Sequence, residues 1–153
     1  MEKVTWQTKP FKNLTVDEYF EILYLRTEVF VVEQNCPYQE VDEKDKKAFH
    51  LFGITEKGEF VAVSRILPQK ISYPEVSIGR VAIKKTYRGK GLGDKLMSES
   101  MRFVDKQFGK EDIRISTQTY LHTYYQVHGF EQVGEGYLED DIPHIEMLFE
   151  YKK

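Results

Sequence analysis

The sequence predicts a mixed α/β (α+β) fold, a twisted sheet of about seven strands with helices on both faces. Three observations predict it. Hydrophobic periodicity gives the element order β α β β β α β α β β. A hairpin in the first half, followed by strand–helix alternation in the second, mixes antiparallel with parallel pairing. The 153 residues, 41% of them apolar and 14% aromatic, suffice for one substantial core, and so for a single domain over residues 1–153.

Each element has a local cause. Residues 4–8 alternate and suit a short edge strand. Thr15-Val16-Asp17-Glu18 has the spacing of a capping box, which starts a helix. Val16, Tyr19, Phe20 and Leu23 follow the i, i+3, i+4, i+7 rule, and the run continues to Val32 before Asn35, Cys36 and Pro37 end it, as one helix or two pieces. Residues 49–55 and 59–67 are β-type and joined by Glu56-Lys57-Gly58, a hairpin. A third such strand covers about 75–83. The glycine-rich residues 88–93 then lead into a helix with Leu92, Leu96, Ser100, Phe103 and Val104 on one face and Gly109 as its stop. A strand at 112–117, a short helix at 120–128 ended by Gly129, a strand from Phe130 and a last strand at 145–151 complete the chain.

Charge and composition exclude several classes. A net charge of −3 and a pI of about 5.9 give no global field toward nucleic acid or an anionic membrane. The single cysteine, Cys36, forms no intrachain disulfide and fits a reducing compartment; before a turn proline it reads as an inert thiol. No apolar run nears the roughly 18 residues of a membrane span. The opening Met1-Glu2-Lys3-Val4-Thr5-Trp6 lacks the apolar centre of a signal peptide, so a soluble cytoplasmic protein is expected. His122 and His128 stand six apart rather than four, and no metal site is expected.

Arg88-Gly89-Lys90-Gly91-Leu92-Gly93 lies between a strand and a helix start, where unpaired N–H groups and the helix dipole favour an anion. Two generic patterns fail. The phosphate loop lacks its Gly-Lys-Ser/Thr, and the dinucleotide pattern, counted from Gly89, reaches Asp94 in place of its last glycine.

Arg88-x-x-Gly91-x-Gly93 after Ile78-Gly79-Arg80-Val81-Ala82-Ile83 resembles the acetyl-CoA-binding motif of the GNAT N-acetyltransferase superfamily, and the resemblance covers nearly the whole chain. It implies a largely antiparallel sheet, splayed between its central strands. Val81, Ala82 and Ile83 would offer backbone groups to the pantetheine arm, and Arg88, Gly89, Lys90, Gly91, Leu92 and Gly93 would cradle the pyrophosphate. Residues 118–130 resemble the family's second motif, with Tyr124-Tyr125 before Gly129-Phe130. Tyr125 takes the general-acid position and Tyr124 is expected to face the core. Gln118 stands where asparagine is usual and Leu121 where alanine is usual; Gln118 would still contact the cofactor. The strings at 29–42 and 137–145 are similar to the ElaA-type subfamily, which usually shows glycine at the position of Asp141.

The chemistry that the resemblance implies needs a neutral amine, a polarised thioester and a proton for the departing thiolate. A lysine-like amine with a pKa of about 10.4 costs roughly 4–5 kcal/mol to deprotonate at pH 7. Tyr125 supplies the proton. The base is left open between His144, of the residue type that titrates near neutrality, and Glu75, at the start of the cofactor-facing strand, with Glu139 and Asp140 in the late loop beside His144. By resemblance the acceptor pocket draws on Arg26, Phe30, Glu33 and Gln34, together with Glu139 and Asp140; alternatively Phe30 is core and Arg26–Glu33 a solvated pair. The expected activity is direct transfer of acetyl from acetyl-CoA to an amine acceptor. A noncatalytic CoA-binding module remains an alternative. So does an acyltransferase with an acyl carrier protein as donor, since the first helical region faintly resembles acyl-homoserine lactone synthases. A homodimer is compatible with the sequence, which does not fix one.

Overall fold

The computed structural model describes residues 2–151. Among them are seven strands in two hydrogen-bonded sheets. The first is an antiparallel meander of β1 (Val4–Pro10), β2 (Phe49–Thr55), β3 (Phe60–Leu67) and β4 (Ser77–Ile83), in that spatial order. The second is β5 (Ile113–Gln118), β7 (Ile142–Phe149) and β6 (Glu131–Glu139), again antiparallel. β4 and β5 run parallel and touch at one place, a bridge between Val76 and Ile113 in which Arg114 N–H donates to the Val76 carbonyl at 2.9 Å. Beyond it they share no ladder, which is the expected splay.

The capping box forms as the spacing predicts. The Thr15 hydroxyl accepts from Glu18 N–H at 3.0 Å, Glu18 accepts from Thr15 N–H at 2.9 Å, and α1 runs over Val16–Thr27. It does not break into two pieces. It widens into one π turn, Glu28–Val32, closed by Glu33 N–H to the Glu28 carbonyl at 2.9 Å. Ile22, Leu25 and Val29 then pack on Phe52, Val63 and Ala82, covering one face of the first sheet. α2 (Leu92–Phe108) covers the other with Leu92, Leu96, Met97 and Val104, and the buried Ser100 hydroxyl meets Ser64 of β3 at 2.8 Å. Helices lie on both faces, as the alternation requires.

The late elements differ slightly from the expectation. A 3₁₀ turn at Thr119–Leu121 precedes α3, which covers only His122–Val127. The last strand starts three residues early, at Ile142, and runs through Pro143. Asp140 and Asp141 both adopt positive φ, +50° and +63°, the requirement of a tight two-residue hairpin turn that short polar side chains tolerate. The turn therefore closes with aspartate where the subfamily usually has glycine. Gly53 is required for a different reason: a Cβ there would lie 2.8 Å from both Trp6 and Val4 side chains. Among the described residues, no helix is long and apolar enough to cross a membrane.

Candidate active site

The parting of β4 from β5 leaves two cavities that meet. The larger, about 450 Å³, lies among Phe30, Val81, Ala82, Ile83, Gln118 and Tyr124. The smaller, about 120 Å³, lies among Cys36, Tyr38, Arg80, Thr117, Asp140 and His144. Phe30, Gln34, Val81, Gln118, Leu121 and Tyr125 line both. A molecule in one can therefore meet a molecule in the other along this shared wall, of which Tyr125 is a part.

Two backbone irregularities shape this junction. In β4, Arg80 and Val81 together oppose the single residue Ser64, a β-bulge with Arg80 at φ +49°. A bulge bends its strand and frees a residue from the ladder, which turns the run Gly79-Arg80-Val81 into the wall of the smaller cavity. The π turn inserts an extra residue before Glu33 and Gln34, a device common at functional sites, and Phe30 within it reaches both cavities.

Tyr125 is 5% exposed. Burial pushes its phenol well above the ordinary tyrosine value, with the Thr117 hydroxyl beside it acting weakly the other way. Tyr124 packs its ring against the core cluster, the side expected of it. Its ring is less buried than that of Tyr125, and its hydroxyl donates to the Gly93 carbonyl at 2.6 Å, tying α3 to the first turn of α2. His144 is 9% exposed and lines the smaller cavity. Its Nδ1 sits 2.7 Å from the Ile142 carbonyl, to which it donates, so in the neutral ring the lone pair is on Nε2, which lies 3.5 Å from Glu139 Oε2. Glu139 and Asp140 are exposed at the mouth of the same cavity.

The glycine loop turns through left-handed backbone at two of its glycines. Gly89 and Gly91 have φ of +77° and +82°, with no atom within 4 Å of where a Cβ would stand. Gly91 caps α2 without a side-chain bond, so the first N–H groups of a 17-residue helix are left for an anion. Leu92 buries its side chain in the core and offers only its backbone. Arg88 extends to the larger cavity and donates from Nε to the Ile83 carbonyl at 3.0 Å. Lys90 lies over the Tyr87 ring at 5.8 Å.

Three expectations are corrected. Glu75 lies at the closed end, beside the Val76–Ile113 bridge, and lines neither cavity; Arg114 grips it at 3.0 and 3.2 Å and holds its carboxyl below the usual range. Arg26, 1% exposed, lines neither cavity. It binds Glu40 at 3.0 Å and Asp45 at 3.1 Å, while Arg65 binds Asp42 and Asp45 at 2.7 Å and Arg80 pairs with Glu40 and Asp42. Three arginines and three acids thus pin the chain after the π turn against β3 and β4. Burial opposes the charge on Asp45, but Arg26 and its hydrogen bonds prevail and hold its carboxyl below the ordinary value. Glu33, expected at the acceptor side, lines the larger cavity alone and pairs with Arg88. Cys36, Tyr38, Arg80, Ser116 and Thr117 line the smaller cavity and were not singled out as site residues. The family-like strings contain Cys36, Tyr38 and Arg80, but only the bulge and the pinned segment bring them to one place. Among the described residues, no group of three or more His, Cys, Asp or Glu side chains is arranged to hold a metal ion.

A family model for the acetyltransferase (GNAT) domain matches residues 15–151. ElaA of Escherichia coli is 38% identical over 149 residues, 96% of this chain and 97% of that protein, and its crystal structure superposes with a TM-score of 0.90 over 97% of this chain and 100% of that one. A UPF0039 protein of Schizosaccharomyces pombe is 39% identical, covering 98% and 99% of the two chains. The crystal structure of an acyl-CoA N-acyltransferase from Pseudomonas aeruginosa is 41% identical, with a TM-score of 0.90 over 95% of this chain and 99% of that one. With the splayed strands and the glycine loop, these likenesses place the chain in the GNAT acetyltransferase family, ElaA-type, as an acyltransferase.

Proposed function

We propose that the protein transfers acetyl from acetyl-coenzyme A directly to the amine of an acceptor, with the donor's arm in the larger cavity and the acceptor in the smaller. The observation that carries this reading is the meeting of the two cavities at Tyr125. The larger cavity fits a pantetheine arm, being bounded by the free side of β4 at Val81–Ile83 and continuing toward the uncapped start of α2. The thioester supplies an activated acyl carbon and a thiolate leaving group.

The chain's own groups do the rest. His144 Nε2 accepts a proton from the attacking amine, and Glu139, 3.5 Å away, stabilises the imidazolium that results. Tyr125 gives its proton to the sulfur as the C–S bond breaks. Burial makes this phenol a weak acid, so it keeps its proton throughout the neutral range; the same burial raises the basicity of the sulfur that receives it. Gln118, at the end of β5, faces both cavities and orients the donor. On this reading the chain is one acetyltransferase domain that acts in the cytoplasm on an acetyl-CoA donor and an amine-bearing acceptor and needs no metal.

Calorimetric titration with acetyl-CoA tests the reading. Micromolar affinity is expected for the wild type, and a loss of at least about tenfold for Gly91→Val. A β-branched residue at φ +82° is strained, and its side chain would project where the anion approaches. A folded wild-type protein that gives no heat would sink the donor assignment.

A further inference from the structure

Glu33 and Gln34, neighbours in sequence, reach opposite walls of the larger cavity. Glu33 Oε1 lies 2.8 Å from Arg88 Nη2, at the glycine-loop side. The Gln34 carbonyl oxygen accepts from Gln118 Nε2 at 2.8 Å, at the end of β5. The two residues thus lie across the cleft between β4 and β5, anchored at both sides. Arg88 is meanwhile fixed by its Nε bond to the Ile83 carbonyl, so the guanidinium at the mouth of the loop faces one of the chain's own carboxylates.

We infer that Glu33 is a displaceable stand-in for the donor's phosphates. Its carboxylate neutralises Arg88 whenever no phosphate is there, a donor must displace it to bind, and it returns to Arg88 as coenzyme A departs. This rests on the donor assignment above. The Glu33 side chain is 23% exposed and that of Arg88 41%, and pairs so placed are weak, worth a factor of about two to five in a binding constant. That is the useful range for an exchangeable counter-ion. It lowers affinity for both donor and product modestly without blocking the site.

The test is calorimetric titration of the full chain with coenzyme A, using wild type, Glu33→Gln, Arg88→Ala and the double variant, each checked for native circular dichroism. Glu33→Gln is expected to bind coenzyme A about two- to fivefold more tightly. In the Arg88→Ala background the same change is expected to do nothing, because no guanidinium remains to be released. An equal gain in both backgrounds would mean a general field effect, and would overturn the inference. No gain in either background would overturn it too. Failure of the wild type to bind coenzyme A is a different result, which removes the donor assignment itself.

Discussion

Tyr125 and His144 both line the smaller cavity, from α3 and β7; burial keeps the phenol protonated, and the Ile142 carbonyl holds the proton of the imidazole Nδ1. If the tyrosine hydroxyl protonates the leaving sulfur, Tyr125→Phe lowers kcat by about 10²–10⁴-fold, the range for a lost general acid. The affinity for acetyl-CoA, read by titration, stays within about twofold. An unchanged kcat would assign Tyr125 to packing alone. At this scale the sequence was informative where a motif ties a residue to a backbone position, as with Tyr125, Gly91 and Val81. It was uninformative where only charge was visible. Glu75 and Arg26 carry the right charges for a site, but their partners, Arg114 and Asp45, lie 39 and 19 residues away, and nothing local indicates those pairings.

α1 works through both its ends. The capping box fixes where it starts, and the π turn at its other end sets where Phe30, Glu33 and Gln34 point. Thr15→Ala removes the hydroxyl that satisfies Glu18 N–H and is expected to cost about 1 kcal/mol, a fall in Tm of about 2–4 °C for a chain of this size, read by thermal denaturation. No change in Tm would show that the box is replaced by water without loss. The start of this helix was legible because Thr-x-x-Glu is a local signal. The π turn was not, since no side-chain pattern distinguishes an i→i−5 bond from the α-helix it interrupts. The β4 bulge escaped notice for the same reason: Ile78-Gly79-Arg80-Val81 alternates well enough to read as an unbroken strand.

For the molecule as a whole, the expected order of elements and the two covered faces hold, because hydrophobic periodicity is set by the core itself. The buried ionic cluster beneath α1 was beyond reach of that periodicity, and it makes stability depend on pH. His50, almost wholly buried, has Nε2 2.9 Å from the Asp45 carbonyl. Burial lowers its pKa and the nearby Arg26 and Arg65 lower it further, outweighing Asp45. Its folded value therefore lies below the unfolded value of about 6.5. The unfolded chain takes up the proton first, so the stability due to neutral His50 is complete above about pH 6.5 and is lost progressively as pH falls. Denaturation midpoints should decline from about pH 7 toward about pH 5, with a shallower slope for His50→Gln. An identical slope in the variant would assign the decline to other groups. A second decline is expected below about pH 4, as Asp45, Glu18 and Glu75, whose carboxyls are all held below their usual range, take up protons.

The cluster of Arg26, Arg65 and Arg80 with Glu40, Asp42 and Asp45 has a consequence for how such a chain can vary. Each arginine spans two acids and each acid spans two arginines. Losing a single member strands an uncompensated charge, at about 3–5 kcal/mol where the site is buried, a large fraction of the margin by which a protein stays folded. A substitution at any one of the six positions is therefore expected to be tolerated only together with a change at its partners, so that the cluster constrains variation as a group rather than site by site.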